Sequence, residues 1–352
     1  MHLTSTDASL RTLALLVVYV TTLFVINNFL THWWGWPGAL ITWQSQAAGE
    51  STHMLGWLQI LSYLVSPIMA WVHVQRRSQD SYSQWAQRVS NWAAYSIRVA
   101  FWLVLLIGLA DALISFLRVE SMLPTLTSEQ LASDLGKPHF RGNFVHIPLI
   151  LLAAVIALKS RGLGFTWLTL MVVIAEFMIV ITRFIFSYEQ AFMGDLVRFW
   201  YAALFLFASA HTLLVEGHIR VDVAYTHFSE RTKAWVNSVG VLVLGLPLCW
   251  TILLLGMWNK ASSINSPLLS MEVSQSGYGM YVKYLMVGFL AIFAFSMVLQ
   301  FASYLLKHIG VLRGESSESQ AHKGSGFRLT AVGVDRGGDA DGSNSAQPNQ
   351  GH

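Results

Sequence analysis

Ionisable side chains are scarce in this chain of 352 residues: Asp, Glu, Lys and Arg make up 12%, against 54% hydrophobic residues. So few charges cannot clothe a water-soluble surface of this size, which argues against a soluble domain. Cysteine is reduced to Cys249, so an intramolecular disulfide and a cysteine-based metal cluster are both excluded. In the middle of an apolar run that residue reads as a small packing group. No nucleophile and base, and no His/Asp/Glu group, recur at catalytic or metal-ligand spacing, so no enzyme and no cofactor are expected. Basic residues exceed acidic ones only slightly, 22 to 19. They lie between apolar runs and not on one face, so the pI of about 9.0 does not indicate a nucleic-acid partner.

The apolar residues that are present come in long blocks, and the mean hydropathy is +0.50. Blocks at about Leu13–Leu30, Met54–Val74, Ile97–Leu117, Phe144–Leu158, Phe165–Phe186, Phe199–Val215, Trp235–Trp258 and Tyr281–Leu306 approach the roughly 17–25 residues a transmembrane helix needs. An all-α polytopic membrane protein with about eight transmembrane helices is expected. The first block lacks a basic run before it and a small-residue cleavage pattern after it, so it reads as a retained helix. Arg76, Arg77, Arg88, Arg98, Lys159, Arg161, Arg220, Arg231, Lys233, Lys307 and Arg313 follow alternate blocks, whereas Thr31–His53 holds no Lys or Arg. That asymmetry places both termini in the cytoplasm.

Several features within this frame carry expectations. Trp33, Trp34, Trp36 and Trp43 suit an interfacial aromatic belt in contact with membrane lipids. Pro67 inside the second block should free a carbonyl that a neighbour or Ser66 can satisfy. Tyr82, Trp85, Val89 and Trp92 fall on one helical stripe of Gln79–Ile97, which reads as an amphipathic helix lying in the cytoplasmic interface. Asp111 and Arg118 in the third block, and Glu176 and Arg183 in the fifth, repeat an acid with a base seven residues on, each acid following an alanine. Buried acids of this kind need partners on other helices. From Gly314 onward Ser, Gly, Asn, Asp and Gln dominate, and a disordered cytoplasmic tail is expected.

A further group of residues follows in order: Arg183-Phe-Ile-Phe after the fifth block, a polar turn with Glu189 and Asp195, and Glu216-Gly-His-Ile-Arg-Val-Asp222 after the sixth. Arg231-Thr-Lys-Ala-Trp235, Glu272 before Gly277-Tyr-Gly, and Lys283 opening the last block complete it. From about Leu163 to Leu312 this resembles the small permease, or DctQ-like, subunit of tripartite ATP-independent periplasmic (TRAP) transporters. The resemblance implies a four-helix scaffold subunit in a bacterial inner membrane. It would hold a large permease subunit that takes up an organic acid with sodium, the solute being delivered by a periplasmic solute-binding protein. Together with Glu176, the acid deep in the fifth block, it makes Arg183, Glu189, Asp195, Glu216, His218, Arg220, Asp222, Glu272 and Lys283 structural or subunit-interface candidates. Three regions result: an N-terminal extension (1–160) with four spans and the interfacial helix, a DctQ-like domain (161–313) and the tail (314–352). Two alternatives compete. One is a membrane b-type haem protein using His73, His146, His211 or His218. The other is a stand-alone carrier, disfavoured because no pair of Gly- or Pro-broken helices occurs at matching positions.

Overall fold

Polar breaks between the apolar blocks decide where helices end, and the computed structural model follows them over the residues it describes: 5–160, 165–188, 191–214, 225–274 and 279–315. Among these residues there is no strand. In chain order the helices are α1 (Ser5–Trp33), α2 (Ala39–Ala47), α3 (Met54–Arg76), α4 (Tyr82–Val119), α5 (Leu123–Leu126), α6 (Glu129–Leu135) and α7 (Pro138–Lys159). They continue with α8 (Phe165–Ile185), α9 (Ala191–Leu214), α10 (Glu230–Met257), α11 (Asn265–Ser270) and α12 (Lys283–Leu312). Eight of them, α1, α3, α4, α7, α8, α9, α10 and α12, are long and apolar enough to cross a membrane. The all-α, eight-span architecture expected from the sequence is therefore present. The expected disordered tail falls, apart from Gly314 and Glu315, outside the described residues.

Proline shapes three of the spans. Pro67 cannot donate to the Tyr63 carbonyl, and the Ser66 hydroxyl donates to that oxygen at 2.8 Å, which is the expected compensation. In α7 and α10 the turns Gly142–His146 and Val241–Gly245 widen to π geometry, and two residues later come Pro148 and Pro247. A wider turn absorbs the missing donor and the ring's bulk without ending the helix.

The centre of the bundle is α12. Half of its most apolar stretch is buried, against 17% for α8, and it contributes to all three apolar clusters. Phe289 meets Phe199, Phe207 and Ile107; Leu299 and Leu306 meet Leu15, Trp85 and Val89; Val298 and Leu305 meet Cys249 and Leu253. Polar groups fasten it to α4: the Ser303 hydroxyl donates to the Ala86 carbonyl at 2.7 Å, and the Ser90 hydroxyl to Gln300 Oε1 at 3.3 Å. Such bonds have few competitors in an apolar medium. Close approach of α4 to α9 depends on Gly108, where a Cβ would lie 2.4 Å from Trp200 Nε1.

The stretch Gln79–Ile97 differs from its expectation. It is not a separate interfacial helix, because α4 runs unbroken for 38 residues from a Ser81/Gln84 capping box. Tyr82, Trp85 and Val89 are buried against α1 and α12, whereas Trp92 is 40% exposed, so three of the four residues of the apolar stripe face the bundle. At 1.5 Å per residue α4 is roughly 57 Å long, well beyond the ~30 Å hydrocarbon core, and its first turns are held by the start of α1 and the residues just after α12. Glu315 accepts the Tyr82 and Ser83 N–H groups at 2.9 and 3.3 Å, a carboxylate at a helix N-terminus. Asp7 accepts from Tyr82 Oη at 2.9 Å and pairs with Arg313 at 3.2 Å. The amphipathic surface helix is instead α2, at the opposite end of the bundle, which exposes Leu40, Ile41 and Trp43. Gly38, at φ 87°, starts it and donates its N–H to Gln59 Oε1 of α3 at 2.9 Å.

Candidate functional site

Two features stand out at the level of chemistry: a buried polar junction near the end of the bundle away from the termini, and an exposed acid at the middle of α8. The junction begins with Asp111, eight residues before the end of α4 and without solvent exposure. A carboxylate there needs donors. Asp111 Oδ1 accepts from Arg141 Nη1 at 2.9 Å and lies 3.1 Å from His146 Nε2, while Oδ2 accepts the Tyr281 N–H at 2.7 Å. The π turn of α7 places Arg141 and His146 together on the face toward α4 and α12.

Each partner is tied further. Arg141 donates from Nε to the Leu135 carbonyl at 2.9 Å and from Nη1 to Ser115 Oγ at 3.2 Å. Its guanidinium lies 4.1 Å from the centre of the Tyr281 ring, a cation–π contact. His146 Nδ1 is 2.7 Å from Tyr284 Oη. Tyr281 Oη donates to the Gly136 carbonyl at 2.8 Å and receives Arg118 at 2.5 Å. Gly142 admits Met271 beside this network, since a Cβ would sit 2.4 Å from its sulfur. The arrangement unites α4, α7 and α12, and its chemistry is that of a buried ion pair in which every donor of Arg141 but Nη2 finds a hydrogen-bond acceptor.

A second carboxylate completes the collar around the start of α12. Asp195, in the first turns of α9, accepts the Met280 N–H and the Ser274 hydroxyl on Oδ2, both at 3.1 Å, with Arg198 3.7 Å from Oδ1. Successive peptide N–H groups at Met280 and Tyr281 are thus taken by Asp195 and Asp111, one from each half of the chain. Unpaired donors entering a helix favour negative charge, so both acids sit where the backbone dipole helps them.

Of the other candidate residues, Glu272 and Lys283 are brought together, Nζ to Oε1 at 2.6 Å, both half-exposed. The Glu272 carbonyl also accepts the Tyr284 N–H at 3.1 Å. Arg183 and Glu176 are exposed on α8. Asp195, which could have served Arg183, turns to the loop before α12 instead. Glu189, Glu216, His218, Arg220 and Asp222 lie outside the described residues. Sequence reasoning missed Arg141, Tyr281 and Tyr284, and weighed His146 only as a haem ligand. The usable signal was Asp111 itself: a mid-helix acid requires a base at its depth, and Arg141 opens the next span. Both ring nitrogens of His146 are engaged, by Tyr284 Oη and Asp111 Oδ1, which disfavours it as an axial ligand. The side chains of His211 and His218 are not described.

Fold and site together define a polytopic helical membrane protein whose last span is clamped by acids from both halves. Residues 171–309 match the model of the family described as "Tripartite ATP-independent periplasmic transporters, DctQ component". The match runs from α8 almost to the end of α12 and covers less than half of the chain, leaving α1–α7 as additional helices. No curated protein matches the chain, and no solved structure matches it.

Proposed function

We propose that this chain is the small membrane subunit of a TRAP-type secondary transporter, a non-catalytic scaffold for a large permease subunit. In this reading it sits in a bacterial inner membrane with both termini cytoplasmic, and a periplasmic solute-binding protein delivers an organic acid for sodium-coupled uptake. The DctQ match over α8–α12 carries the proposal. The clamped start of α12 supports it, because a subunit that stays still while its partner moves needs its spans fixed to one another. The N-terminal helices α1–α7 enlarge that fixed body.

The test is reconstitution. Sodium-driven uptake in proteoliposomes is expected only when the chain is combined with the large permease and solute-binding protein from the neighbouring reading frames; uptake by this chain alone would overturn the reading. A second expectation concerns the loops at the Asp111 end, which in this orientation face the solute-binding protein. Asp195 is committed internally, so Lys260, Glu272 and Lys283 remain for charged contacts. Reversing Lys260 and Lys283 to Glu should alter docking several-fold at low ionic strength and by less in high salt, as measured by surface plasmon resonance on the reconstituted complex.

A further inference from the structure

Glu176 lies near the middle of the 21-residue α8, roughly 15 Å from either end at 1.5 Å per residue. It is exposed on the outside of the bundle. Among the described residues it has no hydrogen-bond or ion-pair partner. Around it Val173, Phe177, Val180 and Phe184 form one exposed apolar stripe, from 49% to 77% accessible, while Leu168 and Val172 pack inward. A carboxyl at this depth is too short to reach either membrane surface. Acids within spans almost always face protein or a water-filled cavity and not lipid. The stripe is therefore incomplete as it stands.

We propose that the Val173–Phe184 face of α8 is the docking surface for a spanning helix of the large permease subunit, which presents a hydrogen-bond donor, basic or amide, to Glu176 at mid-membrane depth. This rests on the reading of the chain as a small TRAP subunit and assigns the face that reading leaves open. The occupant follows from charge. A second copy seated here about a twofold axis sets Glu176 against Glu176, whereas a foreign helix with a donor satisfies the acid. The surface also lies within the family-matched region, and α8 is the least buried of the eight spans, so a partner can cover it without disturbing the core.

The experiment uses the full chain co-expressed with the large permease. A photoreactive benzophenone amino acid at Phe177 is compared with one at Leu244, which is exposed on α10. In parallel, Glu176→Leu and Glu176→Gln are scored by the amount of large permease recovered on affinity purification. Phe177 is expected to give an adduct of one chain with one large permease, and Leu244 none. Glu176→Leu should lower recovery roughly 3- to 30-fold, the span of a single intramembrane hydrogen bond, with the chain's own elution profile unchanged. Glu176→Gln, which still hydrogen-bonds, should retain most of it. Recovery unaffected by Glu176→Leu overturns the proposal, as does an adduct of two copies of this chain. If the large permease co-purifies but crosslinks through Leu244 and not Phe177, the docking face is wrong while the subunit assignment stands. Failure of the unsubstituted chain to retain the large permease defeats that assignment, and the docking proposal with it.

Discussion

Asp111→Leu is expected to lower the melting temperature of the purified protein in detergent by roughly 4–7 °C, corresponding to about 3–5 kcal/mol. The loss arises less from the missing bond than from what remains. Arg141 is fully buried and would keep its charge with no carboxylate beside it, and the Tyr281 N–H would lose its acceptor at the start of α12. Replacing both charges in Asp111→Leu/Arg141→Leu removes the stranded cation and should recover at least half of the loss, although the Leu135 carbonyl then lacks its donor. A melting curve for Asp111→Leu matching that of the unsubstituted protein, or a double variant worse than the single one, would show that the ion pair does not hold α4, α7 and α12 together.

Removal of residues 1–160 is expected to leave 161–352 unable to accumulate as a monodisperse membrane protein. A division of the chain into an N-terminal extension (1–160) and a DctQ-like domain (161–313) implies a milder outcome, with the second half inserting and binding its partner alone. Contacts across the two halves change that. Without α1 and α4, Leu299, Ala302 and Leu306 of α12 lose the cluster they share with Leu15, Trp85 and Val89. Tyr281 and Tyr284 lose Asp111 and His146, and Trp200 loses the Val104 carbonyl. Apolar residues can turn to lipid, but the polar groups cannot, and those carry most of the cost. Co-expression of 1–160 as a separate piece should restore a stable complex, since these contacts are non-covalent. Size-exclusion chromatography of the fragment alone decides the matter: a sharp, stable peak would mean that α1–α7 are an appendage.

Span number and location were legible in the sequence because insertion depends on the summed apolarity of about twenty adjacent residues, a local quantity. Pro67 and its repair by Ser66 were legible for the same reason, both groups lying within one helical turn. The direction in which a stripe faces was not. Tyr82, Trp85 and Val89 have the spacing of a surface-lying helix and of a bundle-facing one alike, and what selected the second was the presence of α1 and α12 beside them. The two acids make the point most sharply. Asp111 and Glu176 each follow an alanine and precede an arginine by seven residues, so along the chain they are equivalent. In the fold Asp111 meets Arg141, His146 and the Tyr281 N–H in a buried interior, while Glu176 stands exposed at mid-helix without a partner among the described residues. The sequence by itself determined an eight-span helical membrane protein and its DctQ-like second half, through composition and short ordered motifs. Only the tertiary structure decided which ionisable groups are satisfied within the chain, because that depends on groups 30 to 170 residues away brought to hydrogen-bonding distance by helix packing, and no periodicity along the backbone encodes what lies across the gap.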